Sequence, residues 1–186
     1  MGTEHFNTLH RVAEERMTRV MDILLQRPDV PPFGRDESGQ SFTCIAADYC
    51  DQEMLRICLE AHRIHGTLHE ALESPCQTYD GRDILTKPLL EHVIVSRKGG
   101  VTPEAKVATA RLLVKEFGAD PLACYPDFTD VASHLHTAAS LAQVELMEFL
   151  ILGTSSAFFP FPSIFCLMLS GWERRITRCH SHHSLA

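Results

Sequence analysis

Residues 133–151 read SHLHTAASLAQVELMEFLI, and the fold turns on how that stretch is parsed. Leu135, Ala138 and Ala139 fall at i, i+3 and i+4, one face of a short helix. Val144, Met147, Leu150 and Ile151 do the same on a second. The paired alanines let two helices approach closely, because no large side chain holds their axes apart. Neither helix is long enough to be stable alone in water. The pair needs neighbours of the same shape.

The chain supplies them. Placing Leu9-His10 over Leu135-His136 sets Val12-Ala13 on Ala138-Ala139 and Val20-Met21 on Leu146-Met147. It also sets Ile23-Leu24-Leu25 on Phe149-Leu150-Ile151, with no gap. In residues 41–60, Ala46-Ala47 take the alanine pair, Glu53 takes the place of Glu145, and Ile57-Cys58-Leu59 end the second helix. His10 and Cys44 lie 34 residues apart, a period of helix-pair repeats. A less regular third unit has an inner helix at 88–94 and an outer helix at 104–117. Two insertions, near 63–78 and at 95–103, map to loops; the second holds Arg97-Lys98-Gly99-Gly100.

This pattern resembles the ankyrin repeat. Asp36, Gly39 and Ser41 match its turn, and Cys44-Ile45-Ala46-Ala47 and Leu135-His136-Thr137-Ala138-Ala139 match its inner helix. Ala110-Arg111-Leu112-Leu113-Val114 followed by Gly118-Ala119-Asp120-Pro121 match its outer helix and closing segment. Gly118 can take the left-handed conformation that ends a helix, and Pro121 prevents continuation. The resemblance implies an all-α, ankyrin-type helix-turn-helix solenoid with long loops, about four degenerate repeats in residues 1–152. An atypical, irregular tail follows at 153–186, either a partial cap or disordered.

The tail departs from the repeat in composition. Its apolar run at 157–169 is interrupted by Pro160 and Pro162, short and kinked for a membrane span. Ser163 could cap a helix over 164–178 that covers the last unit, or the tail belongs to an alternative or truncated transcript. The N-terminal residues are charged and lack the apolar core of a secretory signal. Seven cysteines with no CxxC pair read as small apolar packing residues in a reducing compartment. The expected location is the cytoplasm, or the nucleus. A net charge of -7 argues against a phosphate-binding nucleic-acid partner.

Among eleven histidines, Cys179, His180, His182 and His183 form the densest ligand cluster. A structural zinc site pairs two short clips, and the second is missing. His10 and His136 occupy the repeat's histidine position and read as structural, bonded between neighbouring turns. His134 also flanks Leu135. Glu14, Glu15, Glu53, Glu145 and Glu148 read as a solvated face. Gly99-Gly100 lacks the strand-to-helix context of a phosphate cradle. The sequence therefore carries no expectation of catalysis, metal or cofactor.

The resemblance implies a non-catalytic adaptor or scaffold that binds a partner protein through the concave face and projecting turns. Those turns, at 29–40, 77–83 and 122–130, carry Phe33, Arg35, Asp36, Tyr79, Arg82, Tyr125, Asp127 and Phe128. Aromatics and arginines are the types enriched at interface hot spots. The alternative is a regulatory or targeting part of a larger enzyme or multidomain protein.

Overall fold

The computed structural model describes residues 3–27, 29–36, 39–73, 76–79, 84–126 and 131–153, which are predominantly helical. In chain order, α1 (Thr3–Glu14) pairs with α2 (Thr18–Leu25), and α3 (Phe42–Asp48) with α4 (Gln52–Ile64). A short α5 (Leu68–Glu73) and the strands β1 (Cys76–Tyr79) and β2 (Ile84–Lys87) precede the third pair, α6 (Leu89–Val95) and α7 (Pro103–Glu116). Strands β3 (Cys124–Pro126) and β4 (Val131–Ser133) precede the fourth, α8 (His134–Ser140) and α9 (Val144–Gly153). Two connections read as turns thus carry antiparallel hairpins, with Tyr79 opposite Ile84 and Tyr125 opposite Ala132. The insertion near 63–78 holds α5, whose six residues are too few to show a helical period in sequence.

The break inside a helix pair has one construction, used three times. Arg16, Cys50 and Ala142 all take left-handed φ values, 55°, 50° and 54°. Each donates its backbone N–H to the carbonyl three residues back: Ala13, Ala47 and Ala139. The next residue donates five back, Met17 to Val12, Asp51 to Ala46 and Gln143 to Ala138. This is the Schellman closure, which satisfies carbonyls that a helix end leaves orphaned. The three sites stand in the same register as His10, Cys44 and His136. The N-caps repeat as well, for Ser41 and Ser133 accept from the N–H of Cys44 and His136.

The pairs stack in two rows. In the inner row α1 packs on α3, α3 on α6 and α6 on α8; in the outer row α2 packs on α4, α4 on α7 and α7 on α9. The later inner helices run parallel, because like ends meet. Ser96, the C-cap of α6, donates its hydroxyl to the carbonyl of Asp48, the last residue of α3. Glu91 and His134 meet near the N-terminal ends of α6 and α8. Helices α3, α6 and α8 have seven residues each, so they persist through packing rather than propensity. Their interface is filled by Phe42, Ile45, Ala46, Leu89, Leu90, Val93, Ile94 and Ala138, all buried. Each large apolar side chain so buried contributes about 1.5–3 kcal/mol relative to exposure.

Two expectations change. In α9 the buried residues are Leu146, Phe149 and Leu150, whereas Val144 is exposed and Met147 and Ile151 are half-buried. The helix is rotated by about one position from the predicted face, which its nearly all-apolar sequence left ambiguous. The cysteines also divide. Cys50 and Cys58 are free and buried, and burial pushes both thiols above their ordinary range. Cys44 is disulfide-bonded, not merely a packing residue. Among the described residues no helix is long and apolar enough to cross a membrane. The sequence readings on 154–186, including the cap helix and the Cys179, His180, His182, His183 cluster, lie outside the described residues.

Candidate functional site

Because the inner helices run parallel, the segments that lead into α3, α6 and α8 emerge at one end of the inner row. The first is closed by its own polar groups. Asp36 donates its N–H to the Gln40 carbonyl at 2.9 Å, and its Oδ1 accepts from the Gln40 N–H at 2.9 Å. Gly39, between them, has φ 81°, a conformation that glycine adopts without strain. His10 then reaches across from α1 and donates through Nε2 to the Gln40 carbonyl at 2.7 Å. This is the predicted structural histidine. It fixes the loop to the preceding inner helix.

Phe33 and Arg35 sit on that loop above a shallow recess of about 40 Å³, with Ser41, His62, Thr67 and Glu70. Phe33 is 49% exposed, Arg35 is half-buried, and Asp36 acts mainly as the loop's clasp. The floor is aromatic. His62 stacks on Phe42 with ring centroids 6.3 Å apart, and His10 meets the same ring edge-on at 6.1 Å. Both ring nitrogens of His62 have hydroxyl partners, Thr43 at 3.3 Å and Thr67 at 2.9 Å. Burial pushes the His62 pKa down to about 4, and His65 acts in the same direction, so the ring is neutral at physiological pH. The recess offers an exposed aromatic ring, a guanidinium and hydroxyls to a partner.

Of the other residues nominated by sequence, Tyr79 lies on β1 and Tyr125 on β3, the hairpins that lead into α6 and α8. Their side chains, and Arg82, Asp127 and Phe128 entirely, lie outside the described residues. The structure therefore brings Phe33 and Arg35 together and places the backbones of Tyr79 and Tyr125 on successive hairpins. It adds His62 from the end of α4, and Thr67 and Glu70, whose segment read as a plain insertion.

Beneath this end the row is joined by buried polar pairs. Glu91 is 2% exposed and His134 1%, with Oε2 and Nδ1 3.3 Å apart. His92 meets Asp48 at 3.3 Å through Nδ1, while its buried Nε2 has no partner. His136 does not bridge turns as predicted: it is exposed, and its Nδ1 lies 2.7 Å from the hydroxyl of Ser133. Glu14, Glu15, Glu53, Glu145 and Glu148 are all exposed. Among the described residues no group of three His, Cys, Asp or Glu side chains is placed to hold a metal ion.

Compared with family models, curated proteins and solved structures, the chain matches none.

Proposed function

We propose that this chain is a non-catalytic protein-interaction module of the ankyrin type. In this reading it acts as an adaptor or scaffold and holds a partner protein on the segments entering its inner helices and on the concave face beside them. One observation carries the reading: α3, α6 and α8 run parallel, so their entering segments share one end of the row. A row of loops on a packed scaffold can vary in side chain without disturbing the stacking, which suits recognition of another protein. The four-unit ankyrin assignment is supported by the common register of Arg16, Cys50 and Ala142. Phe33 and Arg35 are the proposed anchors among the described side chains, with Tyr79, Arg82, Tyr125, Asp127 and Phe128 continuing the surface.

The test is site-specific cross-linking. A photoreactive phenylalanine analogue placed at Phe33, at Tyr79 or at Tyr125 should capture one common partner protein. The same group at Ile64, which is highly exposed on the outer row, should not. Capture through Tyr125 should fall when Phe33 and Arg35 are both replaced by alanine. Equal capture from Ile64, or capture indifferent to the double substitution, would refute the assigned face.

A cytoplasmic location belongs to the same proposal, and the disulfide of Cys44 supplies its check. In a reducing compartment Cys44, which is fully buried, should be alkylated in cells lysed in denaturant with a thiol-blocking reagent. Protection of Cys44 would move the protein to an oxidising one.

A further inference from the structure

The opposite end of the inner row carries a second feature, at the connection between α6 and α7. A cavity of about 260 Å³ opens there, bordered by this connection and by the start of α9. Three cations border it: Arg97 and Lys98 on the connection and Lys106 on the first turns of α7. Four arginines elsewhere pair with carboxylates: Arg16 with Asp51, Arg27 with Asp29, Arg56 with Glu116 and Arg63 with Glu60. Others among the described residues, such as Arg111, set over the Phe149 ring, stand alone rather than clustered. Around the cavity, among the described residues, none of the three cations has a carboxylate within ion-pair distance. Two of them are held instead by neutral groups. Lys106 donates to the carbonyl of Ile94 at 2.9 Å, and Lys98 lies 5.2 Å from the ring centre of Tyr49. Those contacts position the ammonium groups without cancelling their charge.

The cavity wall adds two further properties. Val101, Pro103, Val107 and Leu146 make one side apolar. Gln143 gives its Nε2 to the Ile94 carbonyl at 2.8 Å, and its buried Oε1 accepts no hydrogen bond. A buried acceptor without a donor is unfavourable until a donor arrives. Burial lowers the Lys106 pKa below its ordinary value, and Arg97 pushes the same way, although the nearby Cys50 opposes them. An anion between Arg97 and Lys106 relieves that repulsion.

We propose that this cavity binds an acidic peptide segment. Its carboxylate is taken by Arg97, Lys98 and Lys106, and an adjoining apolar side chain rests against Val101 and Leu146. A peptide fits better than a bare anion for two reasons. Glu145 also borders the cavity, which opposes a dianion such as phosphate but accepts a peptide N–H. Gln143 Oε1 needs a donor, which an amide N–H supplies once the side-chain amide turns toward the opening. The volume lies just below that of drug-sized ligand pockets, about 300–1,000 Å³, and suits a side chain or two rather than a large cofactor. The site stands apart from the recess at Phe33 and does not depend on the function proposed for that end.

The experiment is a titration of the ¹⁵N-labelled full chain, followed by two-dimensional NMR. The probes are N-acetyl-Glu-Leu-amide, N-acetyl-Gln-Leu-amide and inorganic phosphate. The Glu peptide should shift the amides of Arg97, Lys98, Lys106 and Gln143 and leave those of Phe33 and Arg35 in place. It should bind about tenfold or more tightly than the Gln peptide, the usual worth of a charge-assisted hydrogen bond. Arg97→Gln and Lys106→Gln should each weaken it severalfold, and Lys115→Gln on the exposed face of α7 should not. Arg97 is exposed and, among the described residues, makes no hydrogen bond or ion pair, so its replacement tests the charge even if Lys106→Gln perturbs α7. Equal response to the two peptides, equal response to phosphate, or no shifts at these amides would each overturn the proposal.

Discussion

The two ends of the inner helix row treat polar groups in opposite ways. At the N-terminal end the groups that close the entering loop and join the row are paired, although His92 keeps one ring nitrogen unbonded: Asp36 with Gln40, His10 with the Gln40 carbonyl, His62 with two threonines, Glu91 with His134. At the C-terminal end Arg97, Lys98 and Lys106 border a cavity with Glu145 as its one acidic neighbour and, among the described residues, no ion pair to any of the three, and Gln143 keeps a buried oxygen unsatisfied. The first arrangement fixes one conformation, since buried polar groups are costly unless each finds its partner. The second leaves favourable interactions unmade, and the acidic-peptide proposal rests on that difference. The two ends of the same short helices thus differ in how their charges are balanced, and each proposed surface meets a different kind of groove: a clasped loop at one end and an uncompensated basic cavity wall at the other.

The largest test of that contrast is Glu91→Ala, which leaves His134 buried without its carboxylate. Removing one member of a buried pair costs about 3–5 kcal/mol, read as a lowered urea midpoint. Replacing both Glu91 and His134 by leucine should recover most of that loss, because an apolar pair carries no desolvation cost. A Glu91→Ala protein as stable as the parent would remove the matched character from the N-terminal end.

The second test is pH. The folded-state pKa of His62 is lowered to about 4, below the 6.5 of the free side chain. Between those values the unfolded chain binds the proton first. The contribution of His62 is therefore complete above pH 6.5 and is lost as pH falls toward 4. A shift of this size corresponds to on the order of 3 kcal/mol. His62→Gln should flatten the stability profile over pH 4–6.5 relative to the parent. An unchanged slope would show that the ring titrates as it does when exposed.

The N-terminal caps come third. Ser133→Ala and Ser41→Ala each remove a side-chain acceptor from a seven-residue helix and should cost about 1 kcal/mol. Circular dichroism during thermal unfolding measures both.

The smallest effect has the opposite sign. Arg97→Gln removes a like charge beside Lys106 and should leave stability equal or raise it by a few tenths of a kcal/mol. A clear loss would mean that Arg97 is matched after all, and the contrast between the two ends would fail.

Sequence made the helix pairs legible because their signals are local. The 34-residue spacing, the alanine pairs and the apolar ends all lie within single units. It missed α5, which has too few residues for a period, and it misjudged the buried face of α9, where apolar residues surround the helix. Glu91–His134 was not legible: the partners are 43 residues apart and meet only when α6 lies beside α8. Arg97 and Lys98 were visible as a basic loop, yet nothing local links them to Lys106 or Gln143. His62, Thr67 and Glu70 were hidden the same way, since their recess exists only once Phe33 and Arg35 fold over it.

The left-handed closures at Arg16, Cys50 and Ala142 have one more consequence. Each falls at the same point of its unit, so the chain between the first two, residues 17–50, is a cassette with matching seams. Duplicating that cassette in tandem preserves the closing geometry at both junctions. The array can therefore be lengthened by whole units, with the added outer and inner helices entering the existing rows in phase.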